Sequence, residues 1–177
     1  KQVKYGKSFD ESKKTVFTDG CSILGSSPYV NGGMPGDNKR PTYELGKIIS
    51  ERWDCNWIGR NNVGKDNESI FRDTTNFLIS NHKEMIINHK KVEIDLNNLI
   101  VIVGWTALGR YCYFDEENYS WETYYFWDDE IDQPSKNVNK CMTLQQEYMR
   151  RFLYQISLVN LCENLNVQYV MYNSIDE

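Results

Sequence analysis

Leu99-Ile100-Val101-Ile102-Val103-Gly104-Trp105-Thr106 is the stretch that decides the fold of this chain. Its apolar run is short, uninterrupted and rich in β-branched residues. Such a run reads as a strand buried on both faces, at the centre of a parallel sheet. It ends abruptly in Gly104-Trp105-Thr106 and is followed by Gly109-Arg110. In an open α/β sheet ligands bind beyond the carboxyl ends of the strands, so residues 104–110 are the first place to expect a site. The plainer alternative is a polar loop after a core strand.

Upstream of that run, Lys1 to Lys14 is a polar lead-in with room for an edge strand, and Thr15-Val16-Phe17-Thr18 is a short strand. Asp19-Gly20-Cys21-Ser22 reads as a tight turn. Residues 26–40, with Pro28, Gly32, Gly33, Pro35 and Gly36, read as a loop long enough to suggest a function. Pro41 suits the first position of a helix with Leu45, Ile48 and Ile49 on one face, running to about Arg52. Trp53 to Ile58 is the next expected strand. Asp66 or Asn67 can cap a further helix whose inner stripe is Ile70, Thr74, Phe77 and Leu78. Residues 80–98 are polar, with room for a late helical turn around Glu84 to Ile87.

Downstream, Tyr111 opens an acidic and aromatic segment, residues 111–133, read as a hairpin or an irregular excursion. From about Thr143 to Asn164 runs the strongest helical pattern, with Tyr148, Met149, Phe152, Leu153, Ile156 and Val159 as its expected buried stripe. Val167 to Tyr172 is a last strand. This order of strands and helices predicts a single α/β domain over 1–177, a three-layer sandwich around a central parallel sheet.

With 177 residues, 40% of them hydrophobic and 25% charged, the chain is long enough for a real core. A formal net charge of −5 gives no long-range attraction for nucleic acid or an anionic membrane. No apolar stretch is long enough to span a bilayer, and the N-terminus carries no signal-peptide core. The five cysteines, at 21, 55, 112, 141 and 162, include no C-x-x-C pair, so neither a zinc nor a disulfide framework is indicated. Reduced thiols in a cytoplasmic setting fit best, and no cofactor or metal is implied.

The Asp19-Gly20-Cys21-Ser22 turn follows its strand directly, which exposes Ser22 at the carboxyl edge of the sheet. A serine there can attack a carbonyl if a histidine takes its proton, and adjacent N–H groups can hold the oxyanion. Ser22 as a mere turn cap is the competing reading. Cys21 is a rival nucleophile or, more simply, a small buried side chain.

Gly20-Cys21-Ser22 resembles the nucleophile block of the SGNH, or GDSL-like, hydrolase superfamily, closest to uncharacterised tailed-phage members with a Gly-Cys-Ser turn. Asn62-Val63-Gly64-Lys65-Asp66-Asn67-Glu68-Ser69-Ile70 is similar to the second block, with Gly64 as oxyanion donor. Val103-Gly104-Trp105-Thr106 is similar to the third block, with Thr106 where the family's esterases carry an asparagine. The resemblance implies a flavodoxin-like, SGNH-like sheet and a hydrolase acting on an ester or acyl group of a small molecule or carbohydrate. It also implies a phage setting, in the host cytoplasm or on the virion. The family's acid and histidine lie in a loop after the last parallel strand, and the chain is expected to stop before it. Asp176 is at most a stray match. His82 and His89 fall elsewhere in the sequence and are expected to be plain exposed histidines.

The 111–133 insert carries Asp115, Glu116, Glu117, Glu122, Asp128, Asp129, Glu130 and Asp132 among many aromatic residues. Trp121 and Trp127 suit a face for a protein partner or a sugar, and an ordinary packed hairpin is the alternative. The carboxylates lack the calcium-loop pattern. Arg110 can meet a phosphate or carboxylate bidentately or pair with a neighbouring acid, and Asp37 is a further candidate. Two rivals to the hydrolase therefore stand. One is a non-catalytic phage binding or assembly protein on the same scaffold. The other is an enzyme whose Arg110 and acidic residues handle a phosphorylated ligand.

Overall fold

A computed structural model of the chain describes residues 4–5, 9–20, 45–60, 65–87, 90–108, 110–115, 120–125 and 143–173, with the backbone alone at 4–5, 47, 90, 110–115 and 120–125. Its elements are β1 (Lys4–Tyr5), β2 (Thr15–Gly20), α1 (Leu45–Trp53), β3 (Asn56–Gly59), α2 (Asn67–Ile79), β4 (Met85–Ile87), β5 (Lys90–Val92), β6 (Leu99–Trp105), β7 (Arg110–Asp115), β8 (Ser120–Tyr125), α3 (Leu144–Asn164) and β9 (Gln168–Asn173).

The apolar run Leu99–Trp105 is strand β6, and all of it except half-buried Ile100 is sealed from water. It pairs in parallel with β2 on one side, Phe17 opposite Val101, and with β9 on the other, Val103 opposite Met171. β3 pairs in parallel with the far side of β2, and β1 closes that edge antiparallel, as the polar lead-in allows. The sheet order is β1-β3-β2-β6-β9. Its four parallel strands thus follow the doubly wound order 2-1-3-4 of flavodoxin-like sheets.

Strand alternation splits the side chains between two faces. Trp57 and its β2 neighbours face α1. The ring fits there because residue 46 is glycine, where a Cβ would lie 1.9 Å from Trp57 Nε1. Phe17, Ile58, Val101 and Val103 belong to the main core with Ile70, Phe77 and Leu78 of α2 and Leu158 and Cys162 of α3. Phe17 and Phe77 stack with centroids 4.0 Å apart. Helices on both faces of a largely parallel sheet make a three-layer α/β sandwich.

Local signals explain the helix ends. Asp66 accepts the Ser69 N–H at 2.9 Å and caps α2. Thr143 and Gln146 form a reciprocal capping box at the start of α3. Asn166, with φ 54°, takes the left-handed position after that helix.

Several expectations are corrected. Trp53 ends α1 instead of opening a strand, because the chain reverses at Asp54 (φ 48°) before β3 begins at Asn56. Asp19 and Gly20 remain in β2, paired with Val103 and Gly104, and are strand residues where the sequence suggested a turn. The turn expected at Glu84 to Ile87 is a 3-10 turn at Asn81–Glu84 followed by the β4–β5 hairpin. In the acidic-aromatic segment, by contrast, 110–115 and 120–125 pair antiparallel, Arg110 opposite Tyr125 and Asp115 opposite Ser120, in line with the hairpin alternative.

The largest correction concerns α3. Most of its predicted inner stripe faces outward: Tyr148, Met149, Phe152, Leu153 and Ile156 are 42–56% exposed, as is Leu144 beside them, and only Val159 is half-buried. The helix instead buries Glu147, Arg151, Leu158 and Cys162. Phe71 of α2 stacks on Tyr154 at 4.8 Å, and Arg150 pairs with Glu68 at 2.8 Å. α3 is therefore anchored along a line of side chains that periodicity did not pick out.

Candidate functional site

A doubly wound sheet opens its crevice where the chain changes direction of winding, between the first strand and the one added on its other side. Here that point lies between the carboxyl ends of β2 and β6, where Gly20 is paired with Gly104. Three segments meet at this rim: the end of β2, the end of β6 with Thr106, and the run from Lys65 into the first turn of α2.

Beneath the rim lies a buried charge cluster. Asp19, wholly buried at the end of β2, accepts a bond from the Lys65 ammonium and, at 3.0 Å, one from the Thr74 hydroxyl. The same ammonium lies 3.0 Å from Asp73 Oδ2 and donates to the Arg60 carbonyl at 3.3 Å. The ammonium is thus ringed by three oxygens. Burial pushes the Asp19 carboxyl up to about 6, against the opposing pull of Lys65 and the Thr74 hydroxyl. Lys65 is 4% exposed and clasped by carboxylates. It has the surroundings of a structural counter-ion, not of a nucleophilic amine.

Across the crevice Asn67 grips the backbone of Thr106 with both ends of its amide. Oδ1 accepts the Thr106 N–H at 2.9 Å, and Nδ2 donates to the Thr106 carbonyl at 3.2 Å. The first turn of α2 is thereby fixed to the first residue beyond β6. Thr106 is wholly buried, and its hydroxyl has no hydrogen-bond partner among the described residues; the same holds for the indole N–H of Trp105. A buried orphan donor at a ligand-binding edge is a candidate contact for a bound molecule.

Of the residues singled out in the sequence, Thr106 stands at this rim. Ser22, Cys21, Asp37, Gly64, Trp127, His89 and Asp176 lie outside the described residues. Arg110 is the first residue of β7 and not part of a loop, and Trp121 sits on β8 opposite Phe114. His82 is buried, contrary to expectation. Its Nδ1 is 3.1 Å from the Phe77 carbonyl, and its own carbonyl accepts the Ile94 N–H. Because α2 runs back from the rim, His82 lies at the opposite, amino end of the sheet from Thr106. Among the described residues no group of His, Cys, Asp and Glu could hold a metal ion, and no helix is long and apolar enough to cross a membrane.

Sequence reasoning missed Asp19, Lys65, Asp73 and Asn67. One signal for the first was present: an acid directly continuing the buried run Val16-Phe17-Thr18. No protein-family model, curated protein or solved structure matches the chain.

Proposed function

We propose that the chain is a serine hydrolase of the SGNH kind, acting on an ester or acyl group of a small molecule or an acylated carbohydrate. One observation carries this reading: Gly20 and Gly104 are paired at the winding reversal of the sheet. Ser22 follows Gly20 by two residues, a tether of at most about 7 Å, and Thr106 follows Gly104 by two. Gly20 and the orphan Thr106 hydroxyl thus lie at adjacent strand ends at the crevice where such sheets bind ligands, and it is there that Ser22 is proposed to act.

In the proposed reaction the Ser22 hydroxyl adds to the acyl carbonyl while its proton passes to a base. The Gly64 N–H and the Thr106 hydroxyl steady the oxyanion. Collapse expels the protonated alcohol and leaves an acyl-serine. Water then cleaves that ester, releasing the acid and restoring Ser22. His82 is not the base, since it lies at the far end of the sheet with Nδ1 held by the backbone.

That placement of His82 favours a second reading, a non-catalytic binding or assembly protein on the same scaffold, with Arg110, Trp121 and Trp127 on its partner surface. A fluorophosphonate probe separates the two. A hydrolase is labelled at Ser22, and Ser22→Ala abolishes labelling and p-nitrophenyl ester turnover together. If the wild-type protein is not labelled, while Trp121→Ala or Trp127→Ala weakens capture of a partner that Ser22→Ala still binds, the binding reading stands.

A further inference from the structure

α3 carries two apolar faces. One is satisfied: Tyr154, Leu158, Leu161, Cys162 and Leu165 pack on the core. The other, about 150° around the helix by the 3.6-residue period, exposes Leu144, Tyr148, Met149, Phe152, Leu153 and Ile156. Scattered exposed apolar residues are ordinary, but a continuous stripe of six large ones marks a contact surface.

We propose that this stripe pairs with the same stripe of a second copy of the chain, the two α3 helices lying antiparallel about a two-fold axis between Phe152 and Leu153. The order of side chains argues for a second copy over a different partner. A two-fold contact requires that each residue meet the residue equally far on the other side of the axis. About the midpoint of 152 and 153 the centre of the stripe is its own mirror: Phe152 meets Leu153 and Met149 meets Ile156, with Tyr148 across from exposed Ser157 and Leu144 outside the seam. Exposed Gln145 meets exposed Asn160 and closes the seam with a polar pair at each end. Arg150 is turned to Glu68 of α2 and Arg151 is buried, so neither cation enters the seam and no charge opposes its like. Met149, Phe152 and Ile156 follow the alternating three- and four-residue spacing of helices that pack side by side. The five seam side chains, about half exposed, offer roughly 500 Å² from each copy, near the lower bound for a specific interface.

Sedimentation velocity on the full chain tests this. The expected result is a species of twice the 20.9 kDa chain mass, forming at or below about 100 µM protein. Phe152→Glu should return the monomer with an unchanged far-ultraviolet circular dichroism spectrum, and Val170→Glu, on exposed β9 surface, should leave the dimer intact. Leu153→Cys, beside the axis, should give an oxidised covalent dimer absent from the wild type, which keeps the test decisive if the glutamate variant does not fold. A wild-type monomer throughout that range overturns the proposal, whether the face is then covered by the chain itself or by a different protein. So does a dimer that survives Phe152→Glu, or a Leu153→Cys protein that oxidises without cross-linking.

Discussion

The ammonium of Lys65 is bonded to the carboxylate of Asp19, and both side chains are sealed from water, 3% and 0% exposed. A buried charge left without its partner keeps its desolvation cost and loses the attraction that offset it. Lys65→Met should therefore destabilise the protein by about 3–5 kcal/mol at pH 7. The cost should shrink toward pH 5, where Asp19 takes up a proton and no longer needs a cation. Urea unfolding at the two pH values measures both. Equal losses at pH 5 and 7 would place the damage in packing and not in charge.

Asp19 also links folding to protons. Burial lifts its carboxyl from 3.8 to about 6 in the fold, so between these values the native state holds a proton that the unfolded chain has released. Its contribution is fully present below about pH 4, falls as pH rises through 6, and is flat above. The size is on the order of 3 kcal/mol at most. Asp19→Asn should remove this component, so the wild type should lose stability relative to the variant between pH 4 and 7. Parallel pH profiles for the two proteins would refute it.

Legibility in the sequence followed the kind of force involved. β6 was readable because burial on both faces leaves no polar residue from Leu99 to Val103. α2 was readable because Asp66 supplies a cap and Ile70, Thr74, Phe77 and Leu78 repeat on one face. The orientation of α3 was not, because periodicity finds an apolar stripe without saying what it faces. Its core contacts run instead through Leu158 and Cys162, with the aliphatic stems of Glu147 and Arg151 beside them. The charge cluster was invisible because Lys65 and Asp19 are 46 residues apart, and each reads locally as a loop or turn residue. His82 looked exposed among polar neighbours, and its burial depends on a backbone carbonyl of the preceding helix. The site was thus legible as a place, the carboxyl ends of β2 and β6, but not in the long-range polar pairs that build it.

Gly46 is set by a neighbour, not by its own backbone. A methyl group there would meet the Trp57 ring at 1.9–2.6 Å, and that ring is held by a 2.9 Å bond from Nε1 to the Thr18 hydroxyl. Alanine raises helix propensity by about 1 kcal/mol in an open site. Here overpacking should outweigh that gain, for a net loss of about 1–3 kcal/mol. Gly46→Ala should recover part of the loss when combined with Trp57→Phe, which removes the indole nitrogen nearest the new methyl group. A thermal-melt double-mutant cycle reads the coupling. Additive effects would mean that the two positions do not meet.

Asn67 and Thr106 offer the most direct handle on the rim. The amide satisfies one buried backbone donor and one buried backbone acceptor at once, and no other side chain of its size does both at neutral pH. Asn67→Ala strands the two groups and should cost about 2–3 kcal/mol. Asn67→Asp keeps the acceptor for the Thr106 N–H but sets a carboxylate oxygen against the Thr106 carbonyl. It should therefore be as damaging at neutral pH and milder in acid, where the protonated carboxyl can donate. Amide hydrogen exchange localises the effect: the Thr106 N–H should be slow to exchange in the wild type and at least tenfold faster in Asn67→Ala. Asn76→Ala, on the exposed far end of the same helix, should leave that rate unchanged. An unaltered Thr106 rate in Asn67→Ala would mean that the end of β6 is held by something other than this clamp.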